Sequence, residues 1–505
     1  MYTHSDSFPA EAVHPRPRPE YGGALCAETV RALFADCADF EQREILFGLD
    51  PKRRLTLCWL DGIVAGELVA EQILRPLTDS LRADSPDTQQ ESLERILSGA
   101  VYSHSARCRE SLDELVDDLT HGSCVLLFDG VEKAISFEVR SKNGRAVGEP
   151  GLEKSIKGAR DAFVETLRVN TGLVRRRIGT PALKLRELSL GRKSHTRLAI
   201  FYVDGVAAPE TVETLFARLS ALDVDGVLAT GILEETIPDA PRSIFPQLLH
   251  TERPDRFALY LLEGRVGLLV DGLPIGLVLP VTFAEFMKVT GDHCNNYLVA
   301  TALTGLRYLA LTLSLLLPAL YVAVALYHQE MLPTRLLLSV IEAKRNVPFS
   351  TALEVLGMLI SFELLQEAGL HLPNPIGDTV SIIGALIVGQ SAVEAQVVSP
   401  IAIIVVAFAG IAGYTLPSQD LGAAIRLLRL GLVLAAIAAG LFGVGAALCL
   451  LLLHLAKLDS FGCDYTAPLS DGAPFPLLRL LLRPPKSEDK FRDAALRTPD
   501  RRRQA

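Results

Sequence analysis

The uneven distribution of charge constrains this chain more than any other feature. From Leu306 to Leu458, Asp, Glu, Lys and Arg become scarce, and three runs, Tyr308 to Tyr327, Ala395 to Gln419 and Leu430 to Ala456, contain none of them. Each run is long enough to cross the roughly 30 Å hydrocarbon layer of a bilayer as a helix. Core helices of water-soluble domains keep a polar face, so several such runs in one region predict a membrane-embedded half. The residues ahead of this half carry most of the charge and read as a soluble body.

At 505 residues, the chain is too long for one core and is expected to divide into domains. A net charge of -9 argues against a nucleic-acid partner, because phosphate binding needs a basic surface. The eight cysteines show neither a CxxC pair nor a Cys/His zinc spacing, so neither metal nor cofactor is expected. Residues 1–26 hold Pro9, Pro15, Pro17 and Pro19 and no apolar signal region, which predicts a disordered lead-in and a body that stays in a reducing cytosol.

The soluble body contains a repeat. LTLCWLDGIVAGELVAEQILRPL from Leu55 matches RLAIFYVDGVAAPETVETLFARL from Arg197: each is an apolar strand closed by Asp-Gly and followed by a helical pattern. SCVLLFDGVEKAISFEV from Ser123 matches RVGLLVDGLPIGLVLPV from Arg265, each with two apolar runs hinged at Asp-Gly. Asp61 and Asp129 are 68 residues apart, and Asp204 and Asp271 are 67 apart. Two similar α/β subdomains, 27–145 and 180–295, are therefore expected, with the aspartates as turn formers and the glycines in left-handed backbone. Walker loops, GxGxxG, HExxH and GxSxG are absent, so an enzyme is not expected.

Between the copies, residues 146–179 read as a connecting charged helix. Pro150 and Glu153 suit its start, and Arg175, Arg176 and Arg177 suit its end before Gly179 and Pro181. The three arginines are either an intersubunit or lipid-headgroup contact or a solvated helix end.

Those residues carry a resemblance. Glu149-Pro150-x-x-Glu153-x-x-Ile156-Lys157-Gly158-x-Arg160-Asp161-x-Phe163-x-Glu165, then Asn170, Leu173 and Arg175 to Arg177, closely resemble the signature of the GerA family of spore germination proteins, in its A-type subunit. The resemblance continues at VIEAKRNVPFSTALEVLGMLISFELLQEAG from Val340 and PNPIGDTVSIIGALIVGQSAVEAQVVSP from Pro373. Ala159 replaces the family's usual proline. The resemblance implies a spore inner-membrane protein with its body on the core side, either a nutrient-receptor A subunit or the stage V sporulation AF paralogue. It also implies a homo-oligomer, a transporter-like B subunit and a lipoprotein C subunit as partners, and release of monovalent cations. The motif residues Glu149, Arg160, Glu165, Asn170 and Arg175 to Arg177 are the expected family contacts.

The expected architecture is thus an α/β body followed by an all-α multi-span membrane domain, 296–458, and a basic tail, 459–505. Polar residues inside a bilayer are costly, so those in this half are site candidates. Pro318 is expected to kink its helix and Arg307 to reach the headgroups. Glu354 and Glu363 point to nearly opposite sides of one helix. Ser381, Gly384, Ile387, Ser391 and Glu394, with Gln390 and Val388 beside them, form a small or polar face suited either to lining a pore or to close helix packing. Gly431, Ala435, Ala439, Gly443 and Ala447 recur every fourth residue and favour packing. The basic tail predicts both termini on the cytoplasmic side and an even number of spans. A non-conducting scaffold is the alternative function.

Overall fold

The duplicated sequence pattern is a duplicated topology. The computed structural model describes residues 20–46, 54–78, 88–101, 103, 105–128, 130–141, 148, 150, 151, 153, 157–371, 389–470 and 476–504. Helix α1 (Ala27–Leu33) precedes a first sheet of β1 (Phe40–Leu46), β2 (Arg54–Leu60), β3 (Ala106–Arg109), β4 (Ser123–Phe128) and β5 (Ala134–Glu138), in the order β1-β2-β4-β5-β3. Helices α2 (66–78) and α3 (Gln89–Arg95) lie between β2 and β3, and α4 (Leu112–Thr120) lies between β3 and β4. After α5 (Leu167–Arg175), the second sheet repeats the plan with β6 (Leu183–Leu190), β7 (Thr196–Val203), α6 (Pro209–Ser220), α7 (Thr230–Thr236), β8 (Leu249–Thr251), α8 (Pro254–Glu263), β9 (Val266–Val270) and β10 (Gly276–Leu279). Its order, β6-β7-β9-β10-β8, is the same. Gly62, Gly130, Gly205 and Gly272 of the four Asp-Gly pairs all have φ between 73° and 89°, the left-handed backbone their sequence predicts.

Strand alternation sorts the core. On β7, Leu198 and Ile200 face Val212 and Leu215 of α6, while Ala199 and Phe201 face Phe257 and Leu261 of α8. The second face continues through Phe245, Phe286 and Tyr465 into Leu315, Val322 and Val433 of the apolar helices, so body and helices share one core. The first sheet has a core of its own. The copies meet edge to edge: Ala38 N–H donates to Leu185 O (2.9 Å), and Leu185 N–H donates to Asp36 O (3.0 Å).

The connecting segment departs from expectation. Among its described residues it is helical only over Leu167–Arg175, and residues 157–164 are not helical. Residues 159–164 give their backbone groups elsewhere: Phe163 N–H to Glu252 O (2.8 Å), Ala162 N–H to Gly148 O (3.1 Å), and Ala159 O to the Arg253 guanidinium (3.1 Å). Non-local partners thus outcompete the local helix signals.

In the C-terminal half, α9 (Tyr297–Tyr327) runs unbroken through buried Pro318. It is followed by α10 (Thr334–Lys344), α11 (Thr351–His371), a helical piece at 389–394, α12 (Pro400–Tyr414) and α13 (Gln419–Ala456). By length and composition, α9 and α13 are able to cross a membrane; α12 is a shorter apolar helix. The uncharged run Ala395 to Gln419 is therefore not one helix. Gln396 takes φ 58°, and Ser399 caps a new start at Pro400.

Helix α13 is a hairpin. Straight, its 38 residues would separate its ends by about 56 Å. Instead Asp420 at its start touches His250, and His454 near its end touches Ser243, both on the second α/β copy. The reversal occurs at Ala439 (φ -144°, ψ 21°) and Gly440 (φ 60°, ψ -141°), the second a conformation in which only glycine is comfortable. Within the stripe of Gly431, Ala435, Ala439, Gly443 and Ala447, Gly443 packs against Ala435 and Ala439 across the reversal, where a Cβ on Gly443 would lie 2.1 Å from Ala435 O, and Ala447 packs on the core, as expected, while nothing lies within 4 Å of a Cβ on Gly431. Leu432, Val433, Ala436, Gly440 and Val444 are buried beside it. The tail, with β11 (Asp459–Ser460), β12 (Cys463–Asp464) and α14 (Pro476–Leu481), folds back onto the body, where Arg503 pairs with Glu263 (3.3 Å).

Candidate functional site

The family-motif arginines form an internal clasp. Arg175 is completely buried and donates to both carboxylate oxygens of Asp39 (2.7 and 2.8 Å) and to Leu183 O (2.7 Å). Arg176 donates to Ser141 O (2.8 Å), and Arg177 pairs with Asp161 (2.6 Å). Each arginine therefore has a partner within the chain; Arg175 is buried and not a solvated helix end, whereas Arg176 stays exposed. Asn170 is buried and bonds both backbone groups of Val164 (2.8 and 2.6 Å). Gly272 N–H donates to Glu165 O (2.7 Å), and Asp271 accepts from Leu167 N–H (3.0 Å), capping α5. On the other side, α5 presses onto the Asp61-Gly62 turn so closely that a Cβ on Gly172 would lie 2.4 Å from Gly62 O. Helix α5 is thus wedged between the two copies. Arg160 is exposed, and Glu149 lies outside the described residues.

Among the described residues of the apolar helices, charged side chains pair across helices at two places. Glu354 on α11 is buried; its carboxylate accepts Ser399 N–H at the start of α12 (3.0 Å) and lies 3.4 Å from Lys344 Nζ. Glu363, two turns on, pairs with Arg426 (3.3 Å) and with buried Arg429 (2.7 Å) of α13. The two carboxylates serve different partners, as their opposite faces predict. Ser381, Gly384, Ile387 and Val388 lie outside the described residues; Gln390 and Glu394 are exposed and bond each other (2.9 Å), with Ser391 exposed beside them.

A third set of contacts joins the body to the helices. His250 of β8 sits 3.2 Å from Glu234 and 3.2 Å from Asp420. Burial alone would lower its pKa, but the hydrogen bonds to Asp420 and then Glu234 outweigh this and raise it to about 9. Asp292 holds Arg307 at the body end of α9 through two bonds (2.6 and 2.8 Å), so Arg307 turns inward and does not extend outward as expected. Tyr465 O–H donates to Pro246 O (2.8 Å). Among the described residues, no group of three or more His, Cys, Asp or Glu could hold a metal ion.

The Bacillus/Clostridium GerA spore germination protein family matches residues 28–495. This chain belongs to the GerA family. It is 39% identical over 447 residues to "Uncharacterized membrane protein YfkQ" of Bacillus subtilis, covering 88% of this chain and 85% of that protein. It is 33% identical over 479 residues to "Spore germination protein KA" of Bacillus subtilis, covering 95% and 87% respectively. It is also 33% identical over 447 residues to "Spore germination protein GerLA" of Bacillus cereus, covering 88% and 90%. The crystal structure of the N-terminal domain of the A subunit of the Bacillus megaterium spore germinant receptor GerK3 aligns over 53% of this chain and 99% of its own length, at 27% identity and a TM-score of 0.41.

In this GerA chain, sequence reasoning missed the residues that connect body to helices: His250, Glu234, Asp420 and Asp292. Each is a lone polar residue in an ordinary setting. The one usable signal was Asp420 directly after an uncharged run, where an acid suits a helix start and leaves its carboxylate available to a neighbour.

Proposed function

We propose that this GerA chain is the A subunit of a nutrient-responsive receptor that oligomerises and conducts monovalent cations across the spore inner membrane at the start of germination. The observation that carries this reading is the placement of Glu354, Glu363 and Arg429 between apolar helices whose outer surface is bare hydrocarbon, with Phe442 81% exposed and Leu434, Leu450 and Leu453 exposed beside it. Such a surface belongs in lipid or against another copy, and ionisable groups kept inside it mark a pathway or its gate. The relatives named spore germination proteins support the process, and the relative named a membrane protein supports the location.

In this reading α9 and the two arms of α13 cross the bilayer and the segment between α9 and α13 returns once, an even number of crossings that keeps body and tail, which touch each other, together on the core side. The B and C subunits deliver the nutrient signal. The body passes it to the helices through His250–Asp420, Asp292–Arg307 and Ser243–His454, which occupy both ends of the α13 hairpin and the start of α9.

The test is potassium flux through liposomes holding the purified chain alone and with its B and C partners, beside chemical crosslinking for oligomers. Flux that Glu354→Gln or Glu394→Gln alters at unchanged assembly supports the conduit. A monomer that carries no flux in any combination sinks it and leaves a scaffold.

A further inference from the structure

A cavity of about 220 Å³ lies where the second α/β copy, the first turns of α9 and the tail converge. Its wall carries the cations Arg256, Lys288, Arg479, Arg483, Lys486 and Arg503. Four carboxylates share this wall, and each already has a partner: Asp292 holds Arg307, Glu285 holds Arg265 and Lys288, Glu263 holds Arg503, and Asp489 holds Lys486 and Arg503. Arg256 pairs with Glu153. Arg479 and Arg483 are left over, with no carboxylate partner among the described residues. The Arg483 guanidinium is aimed inward: its Nη1 is buried without a hydrogen-bond acceptor, and Nη2 reaches only His293 Nδ1, at 3.4 Å. Its backbone N–H is tied to Thr301 Oγ1 of α9 (3.1 Å), which fixes its place on the wall. A buried guanidinium N–H without an acceptor is costly, and a pair of guanidiniums in a cavity several waters wide matches the oxygens of a phosphate.

The rim says where such a group comes from. Leu477, Leu478 and Leu482 flank the two arginines and are exposed, and Leu298 and Leu306 are exposed on the neighbouring turns of α9, with Thr304 and Tyr308 lining the cavity between them. The cavity therefore sits at the level where the polar body gives way to apolar surface. Basic residues beside exposed leucines at that level suit an anionic headgroup.

We propose that this cavity binds a phosphate group, with Arg479 and Arg483 as its donors and with a lipid headgroup or free phosphate as its source. Phosphate binding rests on the cavity alone; only the lipid source rests on the membrane reading above. The test uses the full chain in neutral detergent, titrated separately with phosphatidylglycerol, phosphatidylcholine and inorganic phosphate, with binding read by native mass spectrometry and thermal shift. Binding of phosphatidylglycerol in preference to phosphatidylcholine assigns a lipid headgroup, and binding of inorganic phosphate that blocks phosphatidylglycerol assigns the phosphate itself. In either case Arg483→Gln, and separately the more exposed Arg479→Gln, weaken binding about tenfold or more, while Arg483→Lys retains part of it. If neither probe binds the folded chain, or if both glutamine variants bind as the unmodified chain does, the proposal is overturned. A chain that proves soluble without detergent but still binds phosphate through these arginines would refute the membrane reading and leave the site standing.

Discussion

Arg175 and Asp39 form a two-bond ion pair, 2.7 and 2.8 Å long, in which both side chains are fully buried and 136 residues of chain separate the partners. It closes the first α/β copy onto α5. Removing one partner strands the other charge in a dry interior. Asp39→Ala is therefore expected to cost about 3–5 kcal/mol, read as a lowered melting temperature of the full chain, whereas Lys184→Ala, at a partly exposed contact nearby, costs far less. Equal melting temperatures for the two variants would contradict this.

Helix α5 also approaches the first copy very closely at Gly172. Its added methyl would meet Gly62 O at 2.4 Å, and that backbone belongs to a left-handed turn that does not yield cheaply. Gly172→Ala is expected to destabilise by about 1–3 kcal/mol. Gly66→Ala, where nothing lies within 4 Å, serves as the control and should be near neutral. Chemical denaturation of both variants checks the contrast.

The link between the body and α13 through His250 is expected to depend on pH. Its folded pKa is raised to about 9, above the usual value near 6.5, so the protonated form is the one the fold favours. The stabilisation is fully present below about pH 6.5 and is lost as pH rises through about 9, on the order of 2 kcal/mol for a largely buried ring. Melting curves between pH 6 and 10 should show this loss, and Asp420→Asn should reduce it. A profile unchanged by Asp420→Asn would remove His250 from the link.

Inside the helical half, Glu363 neutralises Arg429, which is only 1% exposed. Glu363→Ala is expected to destabilise the chain by several kcal/mol, and adding Arg429→Met should recover most of the loss. A double variant no better than the single one would show that the pair does not act as a unit.

Turning the hairpin requires the conformation at Gly440, where a Cβ would also come within 3.1 Å of Tyr327 and His328. Gly440→Ala is expected to open or strain the reversal at a cost of about 1–3 kcal/mol. Loss of a crosslink engineered between Ser243→Cys and His454→Cys would report it, because those positions meet only when α13 folds back.

The sequence by itself determined whatever depends on neighbours a few residues apart. Strand periodicity and the four Asp-Gly pairs specified two like α/β units, and the absence of charge marked the apolar helices, because turn backbone, pleat and hydrocarbon length are all local properties. Only the tertiary structure decided where the charges go. Arg175 reads locally as a helix end, yet it is buried because Asp39 arrives from the turn ahead of β1, 136 residues away; Glu363 finds Arg429 across 66 residues. The reversal of α13 was equally hidden, since an uncharged run has the same composition whether it stays straight or folds at one glycine. The small-residue stripe announced close packing, but only the structure decided its partner: Gly443 meets Ala435 and Ala439 of its own helix across the reversal, while Gly440 meets Tyr327 at the end of α9.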